Sequence, residues 1–244
     1  RGPFRPPPPA RAGEIPLTPL ELQALWLSLQ VAATATALTL PVALLLALAL
    51  ARGRWPGKAL LEAAVNLPLV LPPVVIGYAL LLGFGRQGPL GRWLHEWLGI
   101  SFVFSFRGAV LAAAVMALPL MVRAVRQALE AVDRGLEDAA RTLGASRLDA
   151  FASVTLPLAA PGLLSGAVLG FAASLGEFGA TITFVSNIPG QTQTLPLAIY
   201  SALQSADGEA AALRLVACSV LLALAALALA QWSHRRVAGW LGQR

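Results

Sequence analysis

Five stretches of this chain are apolar for long enough to cross a bilayer, and few folds are open to a polypeptide built that way. They lie near residues 22–51, 62–84, 107–124, 160–179 and 211–231, close to the ~20 residues that span the hydrocarbon core as a helix. Inside lipid every backbone amide and carbonyl must find its partner within the protein, which for runs of this kind means helices. The expected fold class is therefore an all-α integral membrane protein with about five transmembrane helices. Composition agrees: 57% of residues are hydrophobic, 12% are charged and the mean hydropathy is +0.70, which excludes an ordinary soluble domain. The first run is long enough either to tilt or to begin outside the membrane.

Between the third and fourth runs lies a soluble-looking amphipathic segment. Leu129, Val132, Leu136, Ala139 or Ala140 and Leu143 recur at a 3.6-residue period, while Asp133, Arg134, Glu137, Asp138 and Arg141 occupy other faces. That pattern predicts one surface helix. Gly144 can adopt the left-handed conformation that ends it, and Ser146 with Asp149 three residues later forms a capping-box signal for a second helix. Pro157 is expected to end that second helix and Pro161 to start the next apolar run.

At these residues the chain resembles the permease subunits of ABC importers, whose cytoplasmic loop runs Glu-Ala-Ala, three residues, Gly, nine residues, then Ile-x-Leu-Pro. Asp138, Ala139, Ala140, Gly144, Val154, Leu156 and Pro157 fill those positions, with Asp138 in place of Glu just after Glu137, and Val154 in place of Ile. The resemblance implies a type I importer permease core. It makes Glu137, Asp138, Ala139, Ala140, Gly144, Ala145, Val154, Leu156 and Pro157 the residues that couple to an ATPase, within a coupling loop spanning 128–157. It also implies a second permease copy as homodimer partner, two ATP-binding cassette ATPase subunits that bind ATP and Mg, and a periplasmic or surface binding protein. Some related permeases carry an extra N-terminal helix, which would make six spans. An amphipathic helix lying on the membrane surface is the plainer alternative.

Three further runs, residues 57–82, 105–126 and 174–200, resemble the molybdate permeases within that class. Sulfate permeases share the Gly-Glu-Phe-Gly-Ala element at Gly176–Ala180, but the continuation Thr181-Ile182-Thr183-Phe184-Val185-Ser186-Asn187-Ile188-Pro189-Gly190 is expected of the molybdate branch. The resemblance implies import of molybdate, or tungstate, by alternating access; a sulfate or thiosulfate permease is the nearest alternative, and a channel or membrane enzyme the one from another class.

With the coupling loop placed inside the cell, alternation puts Arg52, Arg54, Lys58, Arg123, Arg126, Arg134, Arg141, Arg147, Arg235, Arg236 and Arg244 inside. Arg86, Arg92 and Arg107, the leader's Arg1, Arg5 and Arg11, and Asp207 and Glu209 fall outside, a bias that agrees with the positive-inside rule. The N-terminus is expected outside and the C-terminus in the cytoplasm of a prokaryotic cell whose plasma membrane holds the protein. Residues 1–21 read as an extended proline-rich leader, too polar for a signal peptide, 22–231 as the transmembrane domain and 232–244 as a cytoplasmic tail.

Two features mark the spans. Pro68, Pro72 and Pro73 interrupt the second, predicting a kink facing the protein interior that serves either as a flexible pathway element or as a static bend. Gly162, Gly166, Gly170 and Ser174 recur every fourth residue in the fourth, a ribbon of small side chains that lets another helix approach closely, within the subunit or across a seam. Beyond the ribbon lies a gate segment, 177–200, where Ser174, Glu177, Phe178, Gly179, Thr181, Thr183, Ser186 and Asn187 are the candidates for the translocation path. Neutral donors suit a route that must release an oxyanion, although any one of them can equally serve the local backbone. A carboxylate would repel such cargo, so Glu177 is expected to accept hydrogen bonds or pair with an Arg and pin the turn.

Other functions have little support. The formal charge of +6 is spread over short loops, with no basic stripe interleaved with aromatics for nucleic acid. No Walker-type loop, catalytic triad or metal-ligand spacing is legible, His95 and His234 lie far apart, and the single Cys218 excludes an intramolecular disulfide and a Cys-based metal site. No cofactor is expected in this chain. Trp93 and Trp97 with His95 and Glu96 predict a short helix at the headgroup level.

Overall fold

In the computed structural model, which describes residues 17–53 and 55–240, the chain is a bundle of helices. The expected extended leader over 1–16, Arg54 and the last four residues lie outside the described residues, as do the side chains of 229–240, among them His234, Arg235 and Arg236. The helices are α1 (Pro19–Arg52), α2 (Lys58–Val70), α3 (Pro73–Phe84), α4 (Pro89–Leu98), α5 (Phe106–Ala131), α6 (Arg134–Thr142), α7 (Arg147–Ala150), α8 (Leu156–Leu175), α9 (Gly179–Val185), α10 (Leu195–Leu203) and α11 (Glu209–Trp240), with a π-helical turn, Phe151–Thr155, between α7 and α8. Among the described residues α1, α5, α7 through α8, and α11 are long and apolar enough to cross a membrane, and α2 with α3 makes a fifth, bent candidate.

α1 starts before the apolar run does. Thr18 accepts from Glu21 N, the Thr18 amide donates to the Glu21 carboxylate at 2.7 Å, and Pro19 occupies the first turn, so a capping box draws the last residues read as leader into the helix. The second span departs further from expectation, because α2 and α3 meet at 115° rather than forming one kinked helix. Pro72 and Pro73 remove two consecutive amides, and each excludes the helical conformation from the residue before it, leaving Leu71 and Pro72 extended. The corner remains a passage between the two ends of the bundle: Val65 of α2 packs with Ala47, Leu50, Met121 and Leu129, whereas Ile76 of α3 packs with Val31, Ala35, Ala109 and Phe184.

The ribbon of small residues on α8 faces α5 of the same chain. A Cβ at Gly162 would lie 2.0 Å from Ala128 Cβ, and one at Gly170 would lie 2.3 Å from Met121 Sδ, so the two helices touch at backbone distance. α9 makes a similar approach to α3: a Cβ at Gly77 would meet the Ala180 carbonyl at 2.5 Å, and one at Gly179 would meet Pro73 Cβ at 2.7 Å. Ala180, Phe184 and Val185 are fully buried there. A third cluster, Ala24, Leu195, Ala198 and Leu215, joins α1, α10 and α11 at the end remote from the coupling loop.

Candidate functional site

The amphipathic segment is two helices before its turn, not one. α5 ends at Ala131, Val132 is extended, and Asp133 caps a new helix by accepting from Gly135 N at 2.9 Å. The apolar period continues through Val132, but a capping aspartate at the break satisfies the exposed amides that a continuous helix would not leave free. α6 buries none of its residues. Gly144 then takes φ +98°, and the Gly144 and Ala145 amides close the helix end on the carbonyls of Arg141 and Ala140. Ser146 and Asp149 form the capping box that opens α7.

Pro157 does not end that helix. The backbone runs on from Arg147 to Leu175 because the π turn inserts wider spacing just before the proline, with the Leu156 amide donating to the Phe151 carbonyl five residues back. A proline in α-register would leave the Ser153 carbonyl unpaired and pressed against its ring; the wider turn accommodates both. Pro161 likewise sits inside α8. α7 and α8 are thus one rod.

Glu137, rather than Asp138 at the motif's acidic position, is the anchored carboxylate. The Arg52 guanidinium at the end of α1 grips both its oxygens, Nη1 to Oε2 at 2.8 Å and Nη2 to Oε1, while the fully buried Thr155 hydroxyl donates to Oε1. Arg52 also donates to Thr155 Oγ1 at 3.4 Å and lies 5.9 Å from the Phe151 ring centre. Asp138 is exposed and, among the described residues, its ion pair is with Arg141 at 3.9 Å. Around this anchor Arg134, Asp138, Arg141 and Arg147 rim a concavity of about 450 Å³. Ala139 and Gly144 are exposed; Ala140, Ala145, Val154 and Leu156 are half-buried; Pro157 is exposed. Leu143 and Leu148 are 90% and 75% exposed, and Leu136 is 48% exposed. These leucines lie bare beside the charged rim.

Of the pathway candidates, Ser174 lies in the last turn of α8 and the rest occupy the break after it and the stretch that follows. Glu177 is buried just past the end of α8 rather than within it, and its Oε1 accepts from Ala180 N at 2.8 Å. Thr183 donates to the Gly179 carbonyl at 2.8 Å, Thr181 is buried, and Phe178 stacks at a tilt on Tyr200 with ring centres 5.2 Å apart. Asn187 Nδ2 donates to Ser201 Oγ at 2.6 Å. Ser174 Oγ and Asn187 Oδ1 are buried without a partner among the described residues. Ser186 has φ +65° and ψ −166°, a region that glycine alone enters freely, and its carbonyl accepts from the fully buried Thr192 hydroxyl.

Two features had little or no sequence signal. Glu21 pairs with Arg214 at 2.7 Å across 193 residues, tying α1 to α11, and its only hint was a charge at the edge of each apolar run. The Arg52, Glu137 and Thr155 cluster had none, since it depends on how three helices meet.

Relatives give this geometry a family. Residues 39–239 match the binding-protein-dependent transport system inner membrane component family. The molybdenum transport system permease protein ModB of Escherichia coli strain K12 is 56% identical over 219 residues, covering 90% of this chain and 96% of that protein. The ModB protein of Haemophilus influenzae is 53% identical over 92% of this chain and 98% of its own length. Sulfate permease 2 of the Chlamydomonas reinhardtii chloroplast is 41% identical over 84% of this chain and 54% of its own. Among solved structures, a bacterial ABC transporter that imports alginate superposes with a TM-score of 0.71 at 18% identity, covering 90% of this chain and 80% of that one. The fold is that of an ABC importer permease, and with the family match spanning most of its length this chain belongs to the binding-protein-dependent transport system inner membrane components.

Proposed function

We propose that this chain is the membrane-spanning subunit of an ATP-driven importer of molybdate, with tungstate as the closest alternative cargo. The observation that carries the substrate is the 56% identity to a molybdenum transport permease over nearly the whole of both chains. The sulfate permease is a weaker relative and extends well beyond the matched region. Two copies of the chain would enclose the path, an external binding protein would deliver the oxyanion, and two ATPases would seat on the coupling loops. The bare Leu143 and Leu148 beside the charged rim support that last step. ATP-driven closure would push α7, and the continuous rod would carry the displacement into the membrane. Glu177 would pin the turn into the gate segment rather than touch cargo, since its carboxylate already serves the Ala180 amide.

Reconstitution tests this reading. The chain, its ATPase and a molybdate-binding protein are placed in proteoliposomes and uptake of labelled molybdate is followed. Uptake should require ATP and all components, and excess sulfate should compete poorly. ATP-independent flux would point to a channel, and preferred uptake of sulfate would reassign the cargo. Orientation is tested separately with Ser146→Cys and Gln204→Cys in a Cys218→Ser background: an impermeant thiol reagent added outside intact cells should label Gln204→Cys alone, with the N-terminus outside and the C-terminus in the cytoplasm.

A further inference from the structure

We infer that Arg52 and Thr155 are positioning residues that carry the motion of the coupling loop into α1, giving the loop a second mechanical output beside its covalent one through α8. This rests on the docking role proposed for the loop.

The loop has one unbroken helical route into the membrane, from α7 through the π turn into α8, since Val132 interrupts its join to α5. That route contains a soft element, because a π turn is a locally widened, less regular stretch of helix. α6 has no such continuity with a span: Val132 breaks it from α5, Gly144 separates it from α7, and it buries none of its residues. Among the described residues its hydrogen-bonded tie to the bundle is Glu137 in the grip of Arg52 and Thr155. That grip is oriented, since a guanidinium holding both carboxylate oxygens resists rotation as well as separation. It is shielded on one side only: Thr155 is fully buried, the Glu137 side chain is 17% exposed and Phe151 lies beneath the guanidinium, while Arg52 itself faces solvent. A displacement of α6 by a docked partner therefore pulls on the last residue of α1. α1 runs as one helix from there to Glu21, with Pro41 inside it, and Glu21 holds Arg214 of α11 at the far end. The cluster also locks the π turn against α1, so the soft joint and the second output move together.

The test measures coupling in the reconstituted complex, as oxyanion imported per ATP hydrolysed. Arg52→Lys keeps the charge and loses the fork; Thr155→Val keeps the shape and loses the hydroxyl; Arg52→Glu with Glu137→Arg exchanges the charges. The first two should assemble with the ATPase and hydrolyse ATP while import per ATP falls by about 5-fold or more, the lower end of energetic coupling between linked sites. The exchanged pair should recover part of the loss relative to Arg52→Glu alone. Import per ATP equal to that of the unmodified complex in Arg52→Lys and Thr155→Val would overturn the inference. So would failure of both to assemble, because the cluster would then serve folding or docking alone. The unmodified complex separates the two readings: if it neither binds an ATPase nor imports with ATP, the docking role itself has failed.

Discussion

At the coupling-loop end three leucines stand in solvent beside a ring of charges, whereas at the opposite end charges, hydroxyls and a strained backbone are folded inward. Leu143 and Leu148 are largely bare and Leu136 is half-exposed. By contrast Glu21, Glu177, Thr181, Thr192 and Thr194 are buried, and Glu21 and Glu177 have specific partners. The difference follows from what surrounds each region. Backbone that is irregular at membrane depth must be satisfied by the protein itself, and the first amides of α9 and α10 are met by buried side chains, Ala180 N by Glu177 and Leu195 N by Ser28. A loop in water is under no such demand and can leave apolar surface for a partner.

The sharpest way to break this contrast is to attack the frame that both regions share. Gly162→Val would drive a side chain into Ala128, whose Cβ lies only 2.0 Å from the position of the new one. Overpacking of this kind costs about 3 kcal/mol, and because α5 cannot retreat from a ribbon of contacts we expect little monodisperse protein in detergent. Normal yield and melting behaviour would mean that the two helices are not tightly joined.

Next in size is Glu177→Leu, which strands the buried Ala180 amide at a cost of about 2 kcal/mol. It should lower the melting temperature, impair gate closure and raise ATP hydrolysis without substrate, while Glu177→Gln, which keeps an acceptor, should assemble and transport at a moderately reduced rate. Equal behaviour of the two variants would remove the inward-satisfied picture of this end. Altered choice between oxyanions would instead place the side chain on the cargo.

Gly144→Val acts on the outward-facing end. At φ +98° a β-branched residue is strained by about 1–2 kcal/mol, and the loop should lose its shape without the bundle losing stability. Recovery of the ATPase by co-purification should fall about tenfold, the equivalent of 1.4 kcal/mol, with the melting temperature of the chain alone nearly unchanged. Full recovery would separate the turn from docking. The smallest effect is expected of Ser186→Gly, which should stabilise the chain by about 1 kcal/mol by relieving the backbone at φ +65°. A loss of stability would show that the serine side chain contributes more than its backbone costs.

The spans, the positive φ at Gly144, the second capping box and the close approach along α8 could all be read from residue order, because each depends on local chemistry or on a period within one element. The corner at Pro72 and Pro73 was legible as a break but not as an angle of 115°, which depends on α3 finding its seat against α9. The continuity through Pro157 was missed for a definite reason. Proline ends an α-helix in α-register, and nothing local announces a π turn that changes the register first. Glu137 and Asp138 were both expected in the coupling set, but which of the two is anchored was not legible, since they are alike in type and only the approach of Arg52 from a distant helix separates them.

The length of α1 has a consequence for the lipid around it. Its 34 residues make a helix about 51 Å long, against roughly 30 Å of hydrocarbon, so some 20 Å must be taken up by slope or by projection into the headgroups. Arg52 sits at one end of that surplus and Glu21 near the other, each engaged with a different part of the molecule. Bilayer thickness therefore bears on both attachments at once: thinner membranes lay the helix down and thicker ones draw it upright, and the acyl-chain length of the host membrane becomes a variable in how the two faces of the protein communicate.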